Sequence, residues 1–512
     1  MLSRVTTFAI DGVCSQRVGV EVDLHAGLPA FTIVGLGDQS VRESRERVRT
    51  AIQNSGFDFP QCRLTVNLAP ASMRKTGPGF DLAIAVGVLA ASGQVDARRL
   101  GQVAVYGELA LGGELRPVRG TLAIAEGART GGLSGLIVAT ARAREAALIE
   151  GLDVFPAVDL REVVRVLAGD AQAFVPPADA SRNVDTPHSE PDLGDVRGHA
   201  GPVAALEIAA AGGHSLLLCG PPGTGKTMLA RRLPSILPPL SRQEAIEVTR
   251  IHSVAGLHDG DGLIGQRPFR APHHTISASG LVGGGARPLP GETTLAHNGV
   301  LFLDDLAEFN RPALEALRQP LEDGRVVIVR GQRSVRYPTR VTLVASTNPC
   351  PCGHLGSHRC RCSESDVSRY RRRLSGPLLD RIDLQVAVLR PAPDELAADS
   401  QHETGAIRAR VVAARERQSR RLNGRATCNG HMGAALLREL VRLDSTSDAL
   451  LQLAYRQGRL SPRGHARVLR VARTIADLAG QERVGRQALM QAIQMREDVS
   501  ERTAGEPAEV AA

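Results

Sequence analysis

Three apolar runs punctuate the middle of the chain, at 215–219 (SLLLC), 299–303 (GVLFL) and 341–346 (VTLVAS). None alternates polar with apolar, and each is short. That is the pattern of strands buried on both faces of a parallel sheet. Helical periodicity fills the gaps between them, which predicts an α/β domain over 195–392. Upstream, 1–170 reads as a separate α/β region. Past about residue 393 the strand signals fade, and the helical patterns at 407–422, 434–443 and 464–478 predict an all-helical domain over 393–502. The stretch 171–194 is rich in Pro, Asp and Ser without apolar periodicity, which is linker composition. Residues 503–512 read as a frayed tail.

Length agrees with this division, because 512 residues at about 150 per domain give roughly three domains. With 43% apolar and 23% charged residues the chain can bury proper cores. Gross disorder, collagen-like repeats and small disulfide scaffolds are excluded. The longest apolar runs, such as 81–92, fall short of the ~18–20 residues a membrane span needs. No membrane partner is expected. The N-terminus lacks a basic-then-apolar signal, so the expected compartment is the cytoplasm.

Charge changes the picture more. The net charge is +8, from 62 basic and 54 acidic residues, yet only Lys75 and Lys226 are lysines. Residues 1–170 are balanced at 18 of each sign, and the linker region is acidic. The excess lies downstream, where 310–373 holds 13 arginines against five acids. Such a local excess is a candidate surface for a polyanion, although a solvated face with no partner gives the same composition.

One of the two lysines lies in the run Gly220, Pro221, Pro222, Gly223, Thr224, Gly225, Lys226, Thr227, which fits GxxxxGK[ST]. A strand pattern precedes it and a helical pattern follows, as a phosphate-binding loop requires. The glycines let backbone N–H groups close around phosphates, Lys226 reaches the β/γ-phosphates, and the Thr227 hydroxyl ligates Mg²⁺. ATP and Mg²⁺ are the expected cofactors. The strand at 299–303 ends in Asp304, suited to hold Mg²⁺, and Asp305, suited to polarise the attacking water. Most relatives of this motif carry Glu at the second position. Asp305 is a methylene shorter, which leaves slow hydrolysis or recruitment of Glu308 open. The third strand ends at Asn348, an amide placed to sense the γ-phosphate. Arg381, in SGPLLDRID, is placed where a neighbouring subunit's nucleotide could receive it, as in ring-forming ATPases.

The order of motifs is that of a known family. DLGDVRGH at 192–199, the phosphate loop, FRAPHHT at 269–275, PGE at 290–292, LAHNG at 295–299 and NPCPCG at 348–353 resemble the magnesium-chelatase-like AAA+ ATPases. VGLGD at 34–38, ESRERVR at 43–49 and NLAP at 67–70 are similar to the additional N-terminal domain of the ComM/YifB group. The resemblance implies an N-terminal Lon-protease-like α/β domain, a central AAA+ P-loop domain and a C-terminal helical lid. It also implies a homo-hexameric, ATP-driven branch-migration helicase acting on single-stranded or branched DNA during natural transformation. Arg463 matches the arginine that contacts the γ-phosphate from the lid. In that fold the segment 325–340 (RVVIVRGQRSVRYPTR) is a hairpin directed at the ring's pore, with Arg330, Arg333 and Arg336 along the DNA backbone.

Two inventories bear on alternatives. Cys350, Cys352, Cys360 and Cys362 form CxC–x7–CxC, which suits tetrahedral Zn²⁺ better than disulfides in a reducing compartment. His354 and His358 are possible substitute ligands, and reduced, unliganded thiols are the other reading. Cys14, Cys62, Cys219 and Cys428 are scattered and read as packing residues. In the region that resembles Lon, Gly79 stands where the protease has its serine, and no lysine follows near 121–122. Proteolysis is excluded by inventory, Lys75 is expected to be structural, and the domain reads as a scaffold or a docking module. A magnesium-chelatase subunit and a protein-remodelling AAA+ module remain as other readings. Against the first, no DxSxS motif is present, 444–447 having the wrong spacing.

Overall fold

The computed structural model describes residues 1–175, 191–258, 262–285, 288–330, 333–374, 376–399, 402–457 and 460–496. Most of the predicted linker and all of the predicted tail lie outside these residues. The chain divides into two compact units. Among the described residues no helix is long and apolar enough to cross a membrane.

The first unit is built on a seven-stranded mixed sheet. Its strand order is Ala30–Val34, Arg63–Ala69, Cys14–His25, Leu2–Asp11, Val103–Val105, Gly135–Ala139 and Asp153–Ala157. The helix Asp81–Ala91 is apolar all round after its first residue, and every position in it is buried, as expected for a helix at the centre of a core. Gly87 lets it lie against the sheet, because a Cβ there would come within 2.6 Å of Val22. The buried Asp81 is held by Arg47 Nε at 2.7 Å and by the Ser44 hydroxyl.

Residues 242–265, inside the predicted ATPase stretch, belong to this first unit. The helix Arg242–Ala255 packs on Thr121–Thr130, burying Ala245, Val248 and Ile251. Arg250 pairs with Glu126, the Gly120 amide donates to Ser253 Oγ at 3.1 Å, and that hydroxyl bonds Glu145. Helical periodicity showed that this segment has an apolar face but not what covers it.

The loop aligned with the protease nucleophile has no room for one. A Cβ on Gly79 would stand 2.6 Å from the Tyr106 ring. Lys75 is fully buried and donates to the Pro70 carbonyl, and burial lowers its ammonium from the ordinary range.

The second unit carries a five-stranded parallel sheet in the order Phe269–Arg270, Val300–Leu303, Thr342–Thr347, Leu216–Cys219, Leu384–Ala387. Its three central strands are the three apolar runs, and all of their residues are buried. The helices Thr404–Leu422, Ala434–Leu440, Ser445–Arg456, Pro462–Leu478 and Arg486–Gln494 form the predicted C-terminal helical part. Its apolar faces share one core with the sheet, from Leu216 and Val344 through Val411 to Val471 and Leu489. The fold is the predicted α/β class, with an N-terminal α/β region, a P-loop α/β sheet and a helical end.

Candidate active site

The phosphate loop leaves the sheet at the carboxyl end of Leu216–Cys219, where ligands of open parallel sheets bind. Gly223 and Gly225 adopt φ of +76° and +88°, a region that favours glycine. Gly220 passes so close to Val388 that a Cβ would meet its carbonyl oxygen at 2.1 Å. Lys226 and Thr227 open the helix Lys226–Ile236, so its unpaired N–H groups face the loop. Lys226 Nζ donates to the carbonyls of Gly220 at 2.7 Å and Pro221 at 2.8 Å, and to Asn348 Oδ1 at 3.0 Å. Burial pushes its ammonium below the ordinary range, while Asp305, the Cys219 thiol and Asp304 pull the other way.

The neighbouring strand ends deliver the acids. Thr227 Oγ1 donates to Asp304 Oδ2 at 2.9 Å, which joins the two expected Mg²⁺ ligands directly. Ser346, on the third strand, donates its hydroxyl to Asp304 and accepts the Asp305 amide at 3.0 Å. Asp305 lies at φ +53°, unusual for a residue with a Cβ, and its carboxylate meets Asn348 Nδ2 at 3.4 Å. Two hydroxyls, two carboxylates, an amide and an ammonium therefore form one connected network. These donors fit a nucleotide–Mg²⁺ pair: oxygen ligands for the hard cation, and a lysine with backbone amides for the phosphates. Ser346 escaped the sequence reading. Its signal was the two-residue strand period, which sets it on the same face as Asn348.

Comparison with known proteins agrees with this geometry. Residues 192–396 match the family described as Magnesium chelatase, subunit ChlI. Residues 20–142 match Subunit ChlI of Mg-chelatase, and 401–496 match its C-terminal part. Among curated relatives, Competence protein ComM of Haemophilus influenzae is 42% identical over 502 residues, covering 97% of both chains. A protein named YifB from Salmonella typhimurium is 43% identical over 497 residues, again 97% of both. The chain belongs to the ComM/YifB group of magnesium-chelatase-like AAA+ ATPases. The 38 kDa magnesium-chelatase subunit of Rhodobacter capsulatus is more distant, at 27% identity over 34% of this chain and 49% of its own. Membership of this AAA+ group implies ATP and Mg²⁺ as cofactors.

Two group motifs meet nearby, where Arg270 makes a bidentate pair with Glu292 at 2.6 and 2.8 Å. The two other arginines expected to touch phosphate lie elsewhere. Arg381 is 7% exposed and paired with Glu322, and Arg463 is 4.0 Å from the same carboxylate. Arg381 beside it holds the Glu322 carboxyl below its ordinary range. These residues line a cleft of about 630 Å³ with Ser215, Val341 and Asp383. Ser215 and Val341 precede the strands that the phosphate loop and Asn348 follow, and Asp383 precedes the parallel neighbour Leu384–Ala387. Arg381 and Arg463 therefore sit at the amino ends of the sheet, and their own chain's phosphate loop at the carboxyl ends. Glu322, which joins them, carries no motif signal.

The four cysteines of the ComM/YifB-type loop converge. Their sulfur atoms all lie within 4.8 Å of one another, with Cys350–Cys352 at 3.4 Å, Cys352–Cys360 at 3.7 Å and Cys350–Cys360 at 4.0 Å. A ZnS₄ tetrahedron with ~2.3 Å bonds has edges of about 3.8 Å, so the donor set fits zinc. All four are free thiols. Burial pushes the Cys350 thiol up to about 12, whereas backbone N–H groups of Arg361 and His354 draw Cys352 down to about 6. His354 and His358 are not among the converging donors.

In the predicted hairpin, Arg325–Arg330 and Arg333–Pro338 form a two-stranded ribbon. Arg336 is exposed. The side chains of Arg330 and Arg333, both expected to contact DNA, lie outside the described residues, as does the turn at 331–332.

Proposed function

We propose that this chain is an ATP-driven motor that works on DNA as a homo-hexameric ring, migrating branches when incoming single strands recombine during natural transformation. The observation that carries the ATPase half is the single network of Lys226, Thr227, Asp304, Asp305 and Asn348. In it Lys226 and the loop amides hold the β- and γ-phosphates, and Asp305 orients and polarises the attacking water, steadied by Asn348. Thr227 and Asp304 would hold Mg²⁺, which would supply charge neutralisation on the phosphate oxygens. The DNA half is supported by the competence protein's full-length likeness and by the arginine excess over 310–373. Zn²⁺ in the four-cysteine site is part of this reading, as a structural ion.

Arg381 and Arg463 complete the site of the next subunit in the ring. Their place at the other end of the strands supports this, because the four residues of Leu216–Cys219 alone span about 13 Å. The rival reading, a chelatase subunit, rests on the family models described by subunit ChlI and on the 27% identity of one named chelatase subunit over 34% of this chain.

Steady-state ATP hydrolysis with and without forked or four-way DNA tests the proposal. Stimulation severalfold by branched DNA is expected, with strand displacement abolished by Lys226→Ala. If no DNA of any structure raises the rate, the motor reading fails and the chelatase and protein-remodelling readings gain.

A further inference from the structure

The helix Glu364–Arg373 begins directly after the cysteine loop and ends in Arg371, Arg372 and Arg373. Cationic residues in a helix's last turn complement its dipole, so a basic terminus is locally stable. Ser363 and Asp366 form a capping box at the other end, next to Cys362. Tyr370 is buried, with its hydroxyl 3.4 Å from Thr347 Oγ1. The helix is therefore fixed at one end and along one face. Arg369, Arg372 and Arg373, spaced i, i+3 and i+4, share another face. All three are exposed.

With Arg311 and Phe309 they line an open groove of about 400 Å³, whose one acidic member is Glu308. Glu308 reaches Arg373 at 3.6 Å, and both side chains are about half exposed. A pair of that kind is weak and readily exchanged. Among the described residues, the one ion pair of Arg369 is with its own helix neighbour Asp366, at 3.4 Å. Among the described residues, neither Arg311 nor Arg372 has an ion pair. Four guanidinium groups converging with so little compensation make an anion site, and the planar fork of arginine matches phosphate oxygens. The groove is open and shallow in chemistry: no base-sized aromatic slot, no hydrogen-bond reader, one buried phenyl floor. That suits successive phosphates of a nucleic-acid backbone, held without sequence preference.

We infer that this groove is a seat for the nucleic-acid backbone, separate from the Arg325–Pro338 ribbon, and that filling it acts on hydrolysis. The inference rests on the DNA-motor reading and names where that DNA is felt. Both walls lead to the active site. Glu308 closes the turn that starts at Asp305, its amide donating to the Asp305 carbonyl at 2.8 Å. On the other wall, Tyr370 bears on Thr347, next to Asn348. A phosphate that takes Arg373 releases Glu308 and loosens the turn carrying Asp305, while the helix passes the same load to the strand end carrying Asn348. Arginines 311, 369, 372 and 373 are thus positioning and binding residues, not catalytic ones.

The test uses the full-length chain and a labelled single strand of mixed sequence, with affinity read by anisotropy across salt and ATP turnover read in parallel. In Arg369→Ala/Arg372→Ala, the slope of log affinity against log salt should flatten by about 1.4, the share of two phosphates on a single strand. DNA stimulation of turnover should be lost while turnover without DNA stays at the wild-type rate. Glu308→Gln removes the competing carboxylate and should tighten binding roughly two- to fivefold, a gain that misfolding cannot produce. If wild type binds DNA and both variants match it in affinity and slope, the groove assignment is overturned and the motor reading stands. If wild type binds no DNA, the motor reading itself fails and takes the groove with it. Tripolyphosphate is the control for a free polyanion: should it displace DNA from wild type at equal charge concentration, the groove is a small-anion site and the inference is wrong.

Discussion

Asp305 shows how much of the site is a matter of single residues. Its left-handed backbone is held by Ser346, which accepts the Asp305 amide while its own proton goes to Asp304. Ser346 is fully buried, so these bonds have no water to replace them. Strain at such a position persists only while its surroundings hold it. Ser346→Ala removes the brace without touching a phosphate ligand. ATP affinity should change little, whereas the turnover number should fall about 10²-fold, the cost of misplacing a catalytic group by roughly an ångström. Equilibrium nucleotide binding alongside steady-state kinetics separates the two. A rise in KM at constant kcat would show that Ser346 serves binding and not positioning. The motif residues of this network were legible because Asp304, Asp305 and Asn348 follow buried strands and Lys226 and Thr227 open the helix after a glycine-rich loop. Ser346 and Glu322 were not, since their roles arise from which neighbour they face.

At the level of elements, the sequence located the buried strands to within a residue: 215–219 against Leu216–Cys219, and 341–346 against Thr342–Thr347. Length decided this, since apolar runs of five or six residues suit buried strands whereas the longer run at 81–91 is a buried helix. The helix Pro462–Leu478 was likewise marked by its period, with Ser461 as N-cap and Pro462 at its first position. The partner of Arg242–Ala255 was not legible, because amphipathicity declares a face and not its cover. The cysteine loop shows the same limit from the other side. Its spacing suited a metal, but did not show that Gly353, at φ +81°, lies against Pro222 of the phosphate loop, where a Cβ would stand 2.4 Å from the proline ring. The loop thus buttresses the phosphate loop while its downstream end anchors the basic helix. Protein purified without added zinc should carry about one Zn²⁺ per chain by elemental analysis. Stripping it under reducing conditions should weaken ATP binding severalfold with the rest of the fold retained, and zinc should restore it. A metal-free chain with full nucleotide affinity would mean that the thiols act as a packed, unliganded cluster.

Across the whole ATPase unit, the two ends of one sheet carry what the proposed reading takes as complementary halves of a reaction centre. The carboxyl ends hold the lysine, the hydroxyl and the acids. The amino ends hold Arg381 and Arg463 on Glu322, in a cleft whose other arginines include Arg467 and Arg470. On the proposed reading a chain so built does not bring its own arginines to its own phosphates, and a neighbour must supply them. Complementation puts this to the test, because each defect leaves the other half intact. Lys226→Ala keeps the arginine face, and Arg381→Ala keeps the phosphate loop and should still bind ATP. Alone, each should be nearly inactive, since an arginine supplied in trans is worth 10³–10⁵ in rate in comparable enzymes. Mixed in equal amounts and allowed to exchange, about a quarter of the interfaces join an intact loop to an intact arginine, so activity should reappear at up to that fraction of wild type. Recovery depends on the two chains meeting, and it should vanish on dilution below the assembly concentration. If the mixture stays as inactive as its components while both chains still assemble, Arg381 acts within its own subunit or only holds Glu322, and the ring-type site is lost from the reading.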